Sequence, residues 1–172
     1  MHLQETAQLA ADPATVHALM TSSRFQDAKA QALGAVRSTA SVTPDADVVT
    51  VTTRRVMVPV EVPELIKAMV EPTITVTEEE VWRPRRDGGF EGSFVVRVSG
   101  APIRVDGQVL LVPSGAAGAV LSFTGELQTS VPLFKSAIER AAANQVVGTI
   151  HEEFRLLRDR LPQAAAQRKV KR

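Results

Sequence analysis

The stretch LFKSAIERAAANQVVGTIHEEFRLLRDR, residues 133–160, decides the fold. Apolar side chains recur at Phe134, Ile138, Ala142, Val146, Val147, Ile150, Phe154, Leu157 and, just beyond, Leu161. Steps of three and four place them on one face of an α-helix. Lys135, Glu139, Arg140, Glu152, Glu153, Arg155, Arg158 and Asp159 are expected mostly on the other face. Val131-Pro132 sets the start and Pro162 the end, because proline is tolerated only in a first turn. The predicted helix is about 40 Å long. The first half of its apolar face is small (Ala137, Ala141, Ala142, Gly148) and the second half large (Ile150, Phe154, Leu157). The small half either packs closely on a neighbour or roofs a cavity, with Gln145 and Thr149 as polar groups beside it.

Upstream, the pattern changes from period 3.6 to period 2. Residues 2–10 alternate and predict a strand with Leu3, Glu5, Ala7 and Leu9 on one face. Asp12-Pro13 is an N-cap followed by a first-turn proline, and predicts a short helix carrying Val16, Leu19 and Met20. A second short helix over 24–32 stops at Gly34. Strands follow over 35–43, 48–58, 73–83, 90–99, 103–112 and 119–128. Turn signals separate most of them, including Pro44-Asp45-Ala46-Asp47, Asp87-Gly88-Gly89 and Gly100-Ala101-Pro102. Between Pro63 and Pro72, Leu65, Ile66 and Met69 predict a helical turn that either closes one end of a cavity or simply joins two strands.

The fold class is therefore α+β. Seven strands linked mainly by hairpins form a curved antiparallel sheet wrapped around the long C-terminal helix, with two short helices after the first strand. A strongly twisted sheet wraps a helix and leaves space between them. The domain is expected to span 1–161, with a basic, disordered tail over 162–172.

Composition narrows the function classes. The net charge of +1, six Phe, one Trp and no Tyr give no broad case for nucleic acid or an anionic membrane. The absence of cysteine excludes disulfides and thiolate chemistry, and fits a reducing cytoplasm. The N-terminal residues lack a basic segment followed by an apolar run, so no signal peptide is expected there. Residues 107–125 carry no charge, yet Pro113-Ser114-Gly115 breaks them into two strands and a turn, not a membrane span. His2, His17 and His151 have no metal-site spacing, and no catalytic or phosphate-loop motif occurs. No metal, cofactor or stable membrane insertion is expected, and no protein partner is indicated.

This order of elements resembles the helix-grip fold of the START-like superfamily, which includes polyketide cyclases, lipid-transfer domains and plant hormone receptors. More closely, the chain resembles the uncharacterised, mostly actinobacterial family called domain of unknown function 2505. The residues carrying that resemblance are Gly92-Ser93-Phe94 with Val96 and Val98, Gly100-Ala101-Pro102, Val112-Pro113, and Val131-Pro132-Leu133 leading to Ile138-Glu139. Members often carry glycine after the proline-leucine pair, where Phe134 and Lys135 stand here. The resemblance implies an apolar cavity between sheet and helix, and no known reaction.

The expected ligand is a small hydrophobic molecule, lipid- or polyketide-like. Phe94, Val96, Val109, Leu121 and Phe123 on the sheet, with Trp82, face Ile138, Ala141, Ala142 and Gln145 on the helix. Glu78 and Glu80 share a strand face with Ile74, Val76 and Trp82, where an ionised carboxylate needs a partner. Arg55, on the face of Val49, Val51 and Met57, is the partner the sheet offers. These three form a polar patch in the cavity, or they lie at a sheet rim. Two further readings remain: a cyclase or dehydratase using those carboxylates, and a protein-interaction module with an exposed apolar patch.

Overall fold

A computed structural model describes residues 1–162. Strands β1 (His2–Leu9), β2 (Arg37–Asp45), β3 (Val48–Met57), β4 (Ile74–Pro84), β5 (Phe90–Ser99), β6 (Ile103–Ser114) and β7 (Gly118–Thr129) form one antiparallel sheet. Helices α1 (Pro13–Met20) and α2 (Ser23–Ala32) follow β1, and α3 (Lys135–Arg160) closes the described chain. The sheet order is β1-β7-β6-β5-β4-β3-β2. Each hairpin places a strand beside its predecessor, and β1 crosses over to pair with β7. This is the predicted architecture. The tail over 163–172 lies outside the described residues.

Local chemistry accounts for the boundaries. The Asp12 carboxylate accepts from the Thr15 amide at 3.0 Å and caps α1. Ser22 does the same for α2 through Phe25 at 3.2 Å. Gly34, at φ +74°, ends the α2 segment in the left-handed region that glycine adopts without strain. α3 begins two residues later than predicted, because Pro132–Phe134 form a 3₁₀ turn before Lys135. Residues 107–125 form the β6–β7 hairpin, as read from the sequence.

The inner face of the sheet is set by register. One row runs Leu3, Gly125, Gly107, Phe94, Glu80, Val51 and Val42 across the strands. Gly107 and Gly125 make room for the Phe94 ring, since a Cβ on Gly107 would collide with it. The core gathers on this face around Trp82, Leu111, Leu121, Leu127 and Leu157, with Val16, Met20 and Phe25 from the short helices. α3 packs chiefly on β1 and β7, and meets α1 and α2 beside them.

Candidate functional site

Two features meet on the inner face of the sheet: a buried ionic network and a strip of partly exposed apolar residues.

The network joins four elements, α2, β3, β4 and α3. Lys29 of α2 places its Nζ 3.2 Å from Glu78 of β4 and 2.6 Å from Glu153 of α3. Arg55 of β3 donates to the other Glu78 oxygen at 2.7 Å and to the Thr53 hydroxyl at 3.1 Å. Glu80, one inward position further along β4, accepts from the Trp82 indole N–H at 2.8 Å. Lys29, Arg55, Glu78, Glu80 and Glu153 are all buried. Arg55, Glu78 and Glu80 therefore lie together inside the molecule, not at a rim.

Electrostatics separate the carboxyls. Burial works to raise the pKa of Glu78, but the adjacent Lys29 and Arg55 outweigh it and hold the group well below the usual range. Glu80 has no such partner: burial, then the charges of Glu153 and Glu78, push it up to about 8. Burial also disfavours the charged form of Lys29, yet Glu153 and Glu78 raise its pKa above the ordinary value. Beside the network, His17 stacks on Phe90 at 3.8 Å between centroids and meets Trp82 edge-on at 5.4 Å. Burial pushes His17 down to about 4, and its Nε2 is buried without a hydrogen-bond partner.

The network also corrects the sequence reading. Glu139 and Glu153 were expected on the solvent face of the long helix, and both are buried. An ion pair overrides polarity for Glu153, because Lys29 waits beneath it. Lys29 itself went unread. The available signal was a charge deficit: two inward carboxylates on the sheet face one inward cation, which calls for a further cation or for a protonated carboxyl. Gln145 is exposed and takes no place on the interior, and the Thr149 hydroxyl donates to the Gln145 carbonyl at 3.0 Å. His151 pairs with Glu5 at 2.7 Å while staying largely exposed.

The remaining predicted residues divide by depth. Trp82, Phe94, Val109, Leu121, Phe123, Ile138 and Ala142 are buried. Phe94 meets Phe123 edge-on at 5.9 Å between centroids, and Phe123 meets Phe154 tilted at 6.0 Å. Val96 and Ala141 are half-buried. Beyond Val96, toward the ends of β3 and β5, the inward residues Met57, Ile74, Val76, Val98 and Ile103 are half-buried as well. β4, β5 and β6 are paired on both sides, so this exposure opens through the inner face. With α3 set chiefly over β1 and β7, these apolar side chains form a partly uncovered strip at this end of the sheet, termed the trough below.

The β3–β4 loop and the β5–β6 turn border this end, held together by the Glu71 amide donating to the Gly100 carbonyl at 2.9 Å. Val58, Val60, Leu65 and Met69 of that loop and Leu133 before α3 are exposed. The 64–70 segment is a 3₁₀ helix, Glu64–Met69, with Ile66 buried. A surface concavity of about 400 Å³ lies at the opposite strand ends, lined by Pro84, Arg85, Arg86, Asp87 and Glu91. Arg85 bridges Asp87 and Glu91 there, and the exposed Arg86 stays outside those ion pairs. Among the described residues, no group of His, Cys, Asp and Glu is arranged to hold a metal ion.

A curved antiparallel sheet gripping a C-terminal helix is the START-like, helix-grip arrangement, and solved structures share it. Norcoclaurine synthase from Thalictrum flavum, in complex with dopamine and hydroxybenzaldehyde, is 11% identical with a TM-score of 0.58, over 95% of this chain and 89% of that one. The Zhui aromatase/cyclase of a Streptomyces species is 9% identical with a TM-score of 0.57, over 92% of each chain. The human StarD13 lipid transfer and protein localization domain is 13% identical with a TM-score of 0.54, over 94% of this chain and 77% of that one. No curated protein matches the sequence. The chain belongs to the family described as protein of unknown function, DUF2505, whose model matches residues 4–161.

Proposed function

We propose that this protein binds a small apolar molecule in the trough between the inner face of β3–β6 and the first half of α3. The observation that carries this reading is the partial exposure of six inward apolar residues, Met57, Ile74, Val76, Val96, Val98 and Ile103, clustered at one end of a face whose middle rows hold the buried Trp82, Phe94, Val109 and Phe123. Apolar surface left open on a concave face is what a ligand of matching polarity covers. Ala141 is the proposed helix-side contact, and Arg55 with Glu78 the polar inner end. The similar structures named for a cyclase, a synthase with an aromatic amine and aldehyde, and a lipid transfer domain support a ligand of this kind. Among the described residues no helix is long and apolar enough to cross a membrane. We place the activity in the cytoplasm, in keeping with the cysteine-free sequence.

Native mass spectrometry of the purified protein, followed by solvent extraction, tests the proposal. A bound apolar molecule that disappears in a Val98→Trp variant of unchanged fold is the expected result. Protein recovered empty, and unresponsive in thermal-shift assays to a panel of apolar compounds, would count against it. A second reading, acid–base catalysis on the bound molecule, draws on Glu80, whose pKa near 8 suits a proton donor at neutral pH. Its mark would be a Glu80→Gln variant that binds normally and converts nothing.

A further inference from the structure

The chemistry of the ligand's polar end follows from the charge count of the network, given the trough as the site. Two cations, Lys29 and Arg55, face three buried carboxyls, Glu78, Glu80 and Glu153. The ion pairs of both cations go to Glu78 and Glu153. Among the described residues Glu80 has no cation within ion-pair distance, and its hydrogen bond comes from Trp82. A buried carboxylate without a cation is far less favourable than the neutral acid, and the pKa of Glu80 is raised accordingly to about 8. The network is then electrically neutral near pH 7.

Arg55 is its member on the trough side. It shares an inward row with Val76 and Val98, whereas Glu78 and Glu80 start from deeper rows. Its hydrogen bonds to Thr53 and Glu78 engage two of the five N–H groups of a guanidinium. We infer that the trough takes an uncharged apolar molecule whose polar end is a carbonyl oxygen, and that Arg55 donates a hydrogen bond to that oxygen. A ligand carboxylate would also meet Arg55, but it would bring a second anion beside Glu78 and leave unbalanced charge in a low-dielectric interior. An ammonium group would meet the like charge of Arg55 first. A carbonyl accepts without adding charge.

The test uses a methyl ketone and a fatty acid of equal chain length, dodecanone and dodecanoic acid. Each is titrated into the full-length protein at pH 7. The fluorescence of Trp82, the single tryptophan, reports binding, and calorimetry checks the affinity. The ketone is expected to bind about tenfold tighter or more. Arg55→Met should weaken the ketone by a similar factor and narrow the preference. Arg55→Lys keeps the charge without the planar fork, and serves as the readout if the methionine variant does not fold. Val98→Trp, read by calorimetry because it adds a second tryptophan, should remove binding of both probes. Equal affinities, or a tighter acid, overturn the carbonyl inference and leave the trough standing. Binding of neither probe, with Val98→Trp indistinguishable from the parent, overturns both.

Discussion

Glu80 sets the pH response of the molecule. Its pKa is raised in the folded state to about 8 from an ordinary carboxylate value. The folded protein therefore holds more protons than the unfolded chain between roughly pH 4.5 and 8. That contribution to stability is fully present below the lower limit and is lost as pH rises through the upper one. His17 works the other way: its folded pKa is depressed to about 4, so its contribution is lost as pH falls from about 6.5 toward 4. Between pH 6.5 and 8 the Glu80 slope stands apart from that of His17. Urea midpoints of the parent protein should fall over this window, and those of Glu80→Gln should stay flat. A parent profile without slope there would show that Glu80 is ionised throughout. Lys29 offers a second test. Lys29→Met leaves Glu153 and part of Glu78 buried without a cation, and should cost about 3–5 kcal/mol. Adding Glu153→Leu should restore part of the loss, which denaturant unfolding of the three variants would measure.

At the scale of elements, close packing is the issue. Ala142 of α3 is 7% exposed and belongs to the core cluster, so the helix is seated on its neighbours at this position. Ala142→Phe should destabilise by about 1–3 kcal/mol and lower the thermal midpoint by several degrees. Gly107→Ala should fall in the same range, about 1–3 kcal/mol, because the new methyl meets the Phe94 ring. An unchanged melting curve for Ala142→Phe would instead put open space beneath the helix. Elements were the most legible level of the sequence. The change of period at the long helix, the Asp12-Pro13 cap and the glycine-bearing turns are local signals, and each produced its element. The inward parity of Arg55, Glu78 and Glu80 was legible for the same reason. What could not be read was pairing between elements. Nothing near Lys29 or Glu153 in the sequence announces that they meet, and both sit on helices whose polar residues normally face water. The exposure of Gln145 was hidden similarly, since the roll of α3 about its axis depends on where β1 and β7 receive it.

At the scale of the whole molecule, the curved sheet carries a helix packed chiefly on β1 and β7, and the apolar residues toward the ends of β3 and β5 stay partly exposed. The same geometry governs how the chain reaches its folded state. The first strand ends up beside the last, and β1 finds its partner only when β7 exists. Lys29 meets Glu78 49 residues later in the chain, and Glu5 meets His151 146 residues later. A ribosome adding about 5–20 residues per second therefore displays an unpaired β1 edge for most of the time it takes to make this protein, and an unpaired Lys29 until Glu78 has been added 49 residues later. Nascent chains arrested before residue 135 should remain open to protease. Resistance should appear in one step once the final helix clears the exit tunnel, making those last turns the event that commits the polypeptide to its fold and spares it from chaperones.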